Sequence, residues 1–130
     1  MDNELKIKMY SFTLDCKAPR ELAKFYSKLL GWTVVPVQDE DYVIIAPPGT
    51  NHGAYPGITF QRNPDYKSPV WPDEPDAQQQ MAHLDFAVAD LEKAEAHAVK
   101  CGAVKSPQQF SQHWTVMKDP EGHPFCLCLM

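Results

Sequence analysis

Two short stretches hold most of the residues whose types and spacing could do chemistry, His83-Leu-Asp85 and Cys126-Leu-Cys128. In an extended strand, side chains two positions apart share a face, so each stretch presents a pair. A carboxylate beside an imidazole holds the ring in one tautomer and raises its basicity, which suits proton abstraction next to a carbonyl and makes His83 and Asp85 the candidate catalytic residues. His83 is equally compatible with a metal ligand or a hydrogen-bonded core histidine, and Asp85 with a backbone or loop partner. Thiolate and imidazole suit zinc, whereas small cysteines in an apolar run are ordinary packing residues; both readings stand for Cys126. Cys16 and Cys101 read as structural. His113 and Trp114 are consecutive, so only one can share the face of the other polar residues, and an indole there would give a small ligand a flat apolar wall. His123 follows the tight Asp119-Pro-Glu-Gly122 turn and reads as structural or at a rim. His52 and His97 receive no role.

No Gly-rich phosphate loop, Cys-x-x-Cys pair or nucleophile elbow occurs in the chain. Gly49-Thr-Asn-His-Gly53 lacks the lysine and following helix of a phosphate loop and reads as a hairpin connection. The net charge is -5 and the lysines are scattered, so a nucleic-acid backbone would be repelled. The start, Met1-Asp-Asn-Glu, is not that of a secretory signal, and no apolar run reaches membrane-spanning length, so the expectation is a cytoplasmic protein with no membrane partner. In that setting the four cysteines are expected to be free thiols.

The elements that must position these residues follow from periodicity. Residues 7–16 alternate toward their end, with Phe12, Leu14 and Cys16 on one side and Ser11, Thr13 and Asp15 on the other. Pro19 fits a first helical turn, and Leu22, Phe25, Tyr26, Leu29 and Leu30 recur at helical spacing up to Gly31, which predicts a helix over 19–30. Strands are expected at 32–37, 42–46 and 57–61, the first two separated by an acidic turn. The second half has the same order: a strand at 83–88, a helix from an Asp90 cap to about Cys101 closed by Gly102, then strands at 103–105, 113–118 and 125–129. Leu84, Phe86 and Val88 lie 72 positions after Phe12, Leu14 and Cys16, while Ala94 and Gly102 lie 71 after Ala23 and Gly31. Such constant offsets indicate a duplicated β-α-β-β-β unit with one extra residue in the first strand-to-helix turn.

The 130 residues, 44% of them hydrophobic, suffice for a single domain with its own core, divided into module one (1–62), a linker (63–80) and module two (81–130). The linker carries four prolines and four acidic residues, which stiffen it and disfavour a regular element. Its Tyr66 and Trp71 read either as pins holding it to the body or as part of a flap over a pocket.

Three tracts carry a family resemblance: the helix around Phe25-Tyr-Ser-Lys-Leu-Leu-Gly31, the strand His83-Leu-Asp-Phe-Ala-Val-Ala-Asp90, and the turn Asp119-Pro-Glu-Gly122. In order and spacing they resemble the glyoxalase/bleomycin-resistance/dioxygenase (vicinal oxygen chelate) superfamily. Phe60-Gln-Arg, Trp71-Pro and His123-Pro-Phe-Cys-Leu are similar to its glyoxalase-like domain branch. The resemblance implies an α+β fold in which two βαβββ modules form a half-open, mostly antiparallel barrel with helices outside and a pocket within. If Phe12, Leu14, Leu84, Phe86, Phe125 and Leu127 pack under the helices, the pocket face carries Ser11, Thr13, His83, Asp85, Cys126 and Cys128. Thr59 and Gln61 join them, and Trp71 and Trp114 complete the expected ligand-binding set.

Metal-dependent relatives hold one divalent ion with His or Gln, Glu, His and Glu. The matching positions here are Ser11, then Thr59 or Gln61, then His83, then Cys126, and His83 alone is a normal ligand. The resemblance therefore implies no cofactor and a disfavoured divalent metal, with His83 the one ligand if any ion binds; an improvised set of His83, Asp85, Cys126 and Gln61 stays open. The function it implies is binding of a small organic molecule, with a lyase, isomerase or dioxygenase-type enzyme using His83 as the alternative, and assembly as a homodimer.

Overall fold

The structure, a computed structural model, describes residues 4–35, 39–49 and 56–130. The expected connection at 49–53, apart from Gly49, lies outside these residues with His52, as do Pro36 and Val37 of the expected second strand and Gln38 of the turn after it. The chain divides into two compact units, 1–64 and 65–130.

The first unit contains β1 (Ser11–Cys16), α1 (Pro19–Leu30), β2 (Thr33–Val35), β3 (Tyr42–Ala46) and β4 (Gly57–Arg62). Its sheet has the order β1-β4-β3-β2, with β1 parallel to β4 and the other two pairings antiparallel. Pro19 begins α1, where its missing N–H costs nothing, and Gly31 ends it at φ 68°, a conformation glycine adopts without a Cβ penalty. Leu22, Ala23, Phe25 and Tyr26 form the buried stripe of α1, and the Tyr26 ring stacks on Phe60 of β4 with centroids 5.5 Å apart. Ile58, Phe60, Val43 and Ile45 complete this core. Gly57 stands where a Cβ would come within 2.7 Å of the Ile45 carbonyl oxygen, so the close approach of β4 to β3 requires glycine there. The first strand is shorter than the alternation suggested. Pairing with β4 begins at Ser11 opposite Gly57, and Ile7 and Met9 before it are exposed.

The second unit repeats this plan with β5 (Leu84–Val88), α2 (Leu91–Cys101), β6 (Val104–Lys105), β7 (Trp114–Lys118) and β8 (Pro124–Leu129), in the sheet order β5-β8-β7-β6. The β5–β8 pair is parallel and the others antiparallel. Asp90 caps α2 by accepting from the Lys93 N–H at 3.0 Å, and the Gly102 N–H closes it on the Ala98 and Val99 carbonyls. Phe125, Leu127 and Met117 are buried, with the Phe86 ring edge-on to Phe125. Across from them, the Thr115 hydroxyl donates to Glu95 of α2 at 2.6 Å, and Glu95 also pairs with Lys105 at 3.3 Å. Both sheets are thus mixed and neither closes on itself.

Residues 65–80 are not a free spacer, since they pack onto the second unit. The Tyr66 and Ser68 hydroxyls both donate to the Glu121 carbonyl, at 2.7 and 2.6 Å. The Val70 N–H donates to the Gln78 carbonyl at 2.8 Å, folding 70–78 back on itself. Their anchor is the β7–β8 turn, built around the buried Asp119. One carboxylate oxygen accepts from the Glu121 and His123 N–H groups at 2.8 and 3.0 Å, and the other meets His123 Nδ1 at 2.7 Å. The Tyr66 ring lies 5.0 Å from the His123 ring, so His123 takes the structural role. Replacing Asp119 by Ala removes the shared acceptor of the Glu121 and His123 N–H groups and the partner of the His123 ring, and is expected to destabilise the protein by about 3 kcal/mol. Urea unfolding measures this, and an unchanged midpoint would show that the carboxylate does not hold the turn.

Candidate functional site

The parallel pairing of β5 with β8 decides what shares a face in the second unit. Asp85 lies opposite Cys126 and Ala87 opposite Cys128, while Trp114 of β7 pairs with Cys128. With alternation fixed by burial of Phe125 and Leu127 on the α2 side, these residues and His83 face away from α2. They line a cleft of about 480 Å³, to which Phe86 and Met130 also contribute. The cleft is predominantly apolar, its polar groups being the imidazole, the carboxylate and the two thiols.

His83 Nε2 lies 3.1 Å from Asp85 Oδ1, and the Cys128 thiol points at the same oxygen from 3.9 Å. The His83 side chain is 32% exposed and that of Asp85 60%, so the imidazole is sheltered while the carboxylate stays in reach of solvent. Trp71 stacks on the other side of His83, with centroids 5.9 Å apart and planes 19° from parallel. Phe110 then bridges Trp71 and Trp114, at 5.4 and 6.1 Å. The result is a continuous aromatic row, His83, Trp71, Phe110 and Trp114. Tyr66 and Trp71 do pin the proline-rich segment to the body, and Trp71 does so by packing on a cleft residue.

Phe110 was not singled out from the sequence, because no periodicity marks it. Its loop is held by Gln109, whose amide donates to the Ser106 and Val116 carbonyls at 2.8 and 2.9 Å and accepts from the Val116 N–H at 2.8 Å. The Gln109 side chain thus satisfies the backbone of β7 and presents Phe110 to the two indoles. Ala87 and Met130 were also missed. Ala87 follows from Asp85 by the two-residue period, while Met130 has no signal of its own.

In the first unit, the expected pocket residues Ser11, Thr13, Thr59 and Gln61 share one face of their own sheet, with Ser11 opposite Gly57, Thr13 opposite Thr59 and Asp15 opposite Gln61. The Ser11 and Thr59 hydroxyls hydrogen-bond to each other, and Thr59 is buried. Thr13 and Gln61 are exposed. A hydroxyl pair satisfied within itself offers no charge to a hard divalent ion, and no carboxylate stands at the positions where metal-dependent relatives carry one. These residues do not fit the superfamily's usual metal.

The electrostatics of the cleft favour neutral thiols. Burial pushes the Cys126 thiol from 9.0 up to about 12, reinforced by the Asp85 charge, by Cys128 and by the hydrogen bond to Asp85. Cys128 is raised as well, by burial first and by Asp85 second. Because folded Cys126 keeps its proton after the unfolded chain has lost it, stability is expected to fall as pH rises from 9.0 towards about 12. Asp85→Asn removes the charge repulsion but not the burial, so it should lessen this alkaline loss in part and speed alkylation of Cys126 by iodoacetamide. Equal alkylation rates in Asp85→Asn and the unaltered protein would contradict the assignment.

A family model described as a glyoxalase-like domain matches residues 11–128. No curated protein matches the chain. Among solved structures, a glyoxalase/bleomycin resistance protein/dioxygenase family enzyme from Burkholderia phytofirmans PsJN is similar at a TM-score of 0.66 and 14% identity, over 95% of this chain and 98% of that one. A possible glyoxalase from Bacillus cereus is similar at 0.65 and 13% identity, over 94% and 98%. An antibiotic-binding protein from Streptomyces sp. CB03234 is similar at 0.58 and 14% identity, over 98% of each chain. At these identities the likeness concerns the fold, two βαβββ modules with mixed four-stranded sheets. Since the family model spans both repeated units, from β1 into β8, the chain belongs to the glyoxalase-like domain family.

Proposed function

We propose that this protein binds a small organic molecule in the cleft of its second unit, without the usual metal set of the superfamily. The observation that carries the reading is the cleft itself: about 480 Å³ of mainly apolar space, walled by Trp114 and furnished with only a few polar groups from His83, Asp85, Cys126 and Cys128. Sites for small ligands have this size and this ratio of apolar wall to orienting groups. The fold-level likeness to an antibiotic-binding protein supports the same reading. Trp114 supplies the flat apolar contact and Asp85 orients a donor or a positive charge on the ligand. Trp71 holds the His83 ring from behind.

Among the described residues, no helix is long and apolar enough to cross a membrane. The four cysteines are free, which supports a cytoplasmic location, where thiols stay reduced. Assembly as a homodimer is part of the same proposal, as the resemblance to the superfamily implies. A monomer in light scattering at high concentration would contradict that part.

A second reading, an enzyme of the lyase, isomerase or dioxygenase type, is favoured by one observation, the His83–Asp85 contact at 3.1 Å. With Asp85 holding Nε2, the other ring nitrogen is the one available to take a proton. That reading predicts loss of turnover in His83→Ala with the fold retained.

Binding is measured by quenching of tryptophan fluorescence across a panel of small aromatic and amine-bearing compounds. For any compound that binds, Trp114→Ala is expected to weaken affinity by about 2 kcal/mol, roughly thirtyfold. Unchanged affinity in Trp114→Ala would place the ligand elsewhere and overturn the reading.

A further inference from the structure

We propose that His83, Asp85 and Cys126 form a site for a borderline-soft divalent cation of the zinc class, held by the β5–β8 strand pair alone and open to the cleft at one coordination position. The imidazole nitrogen, a carboxylate oxygen and the thiol sulfur all lie within 4.8 Å of one another. Around a tetrahedral zinc the donor atoms stand about 3.3–3.8 Å apart, as bond lengths of about 2.0–2.3 Å require. His83 Nε2 and Asp85 Oδ1 are already 3.1 Å apart, so the three groups need only side-chain adjustment to close on an ion.

The geometry is a product of the sheet register. Asp85 and Cys126 are direct partners across the parallel pair, and His83 lies two residues before Asp85 on the same face. Sulfur and imidazole nitrogen select zinc-like ions over manganese or magnesium, which prefer sets of oxygen ligands. A carboxylate and a metal-bound thiolate together offset the two positive charges. Trp71, stacked on His83, restrains the ring in the orientation the site requires. Cys128 stands beside the triad, touching Asp85 Oδ1 at 3.9 Å. The fourth position faces the cleft, where water or a donor atom of a small molecule can occupy it.

His83 and Cys126 stand at two of the positions matching the ligands of metal-dependent relatives, but the set differs from theirs in its thiolate and Asp85 donors and in drawing every ligand from the second unit. It does not rest on the small-molecule reading: an ion can bind here whether or not an organic compound does.

The test titrates purified, tag-free protein with zinc, manganese and cobalt ions. One equivalent of zinc is expected to bind and to displace cobalt, and the cobalt form is expected to show the charge-transfer absorption of a thiolate ligand. Cys126→Ser should abolish that band. His83→Ala and Asp85→Asn should each weaken zinc binding by at least ~100-fold, more than the loss of an outer-shell partner costs, while Cys128→Ser leaves the band in place. Because Cys126 is 4% exposed and its replacement can disturb the fold, zinc protection of Cys126 against alkylation in the unaltered protein gives an independent readout. A cobalt spectrum without thiolate character, zinc affinity unchanged in both His83→Ala and Asp85→Asn, or manganese bound as tightly as zinc would each overturn the proposal.

Discussion

The parallel hydrogen bonding of β5 to β8 is the constraint on which the second unit and its site depend. Side chains alternate strictly along both strands, and the register sets Leu84, Phe86, Phe125 and Leu127 against Asp85, Ala87, Cys126 and Cys128. A slip of one residue would bring Asp85 under α2 and expose Phe125 to water. Burial of the apolar set therefore fixes the polar set, and the cleft is the other side of the core. The first unit obeys the same rule through β1 and β4, where Phe60 under Tyr26 leaves Thr59 to pair with Ser11.

Two carboxylates in the second unit are treated in opposite ways. Asp119 is buried, accepts two backbone N–H groups and meets His123, so all its capacity goes into shaping the β7–β8 turn and anchoring Tyr66 nearby. Asp85 is largely exposed and meets a histidine and two thiols in the cleft. An imidazole–carboxylate pair appears at both places, one buried in a turn and the other open to the cleft.

Much of this was legible in the sequence because the signals are local. Pro19 and Gly31 bracket α1 and Asp90 and Gly102 bracket α2, as the capping residues indicated. The two-residue period paired His83 with Asp85 and Cys126 with Cys128 and allowed only one of His113 and Trp114 on a shared face; the strand register brings the two pairs together with Trp114. What was not legible depends on contacts distant in sequence. Nothing local marks Phe110, whose position is set by Gln109 bonding to Val116. The stacking of Trp71 on His83 likewise depends on how a proline-rich segment lies against a strand. At the start of β1, the expected strand reached back to Ile7, whereas the pairing with β4 begins at Ser11.

The central claim is that the face of the second sheet opposite α2 is the binding face. Chemical-shift mapping of isotope-labelled protein with a bound small molecule tests it directly. The account predicts that the largest perturbations fall on the Trp114 indole, Asp85, Ala87, Cys126 and Cys128, with α2 unaffected. Perturbations concentrated on α2, or on the Asp119 turn, with the cleft residues unmoved, would contradict it.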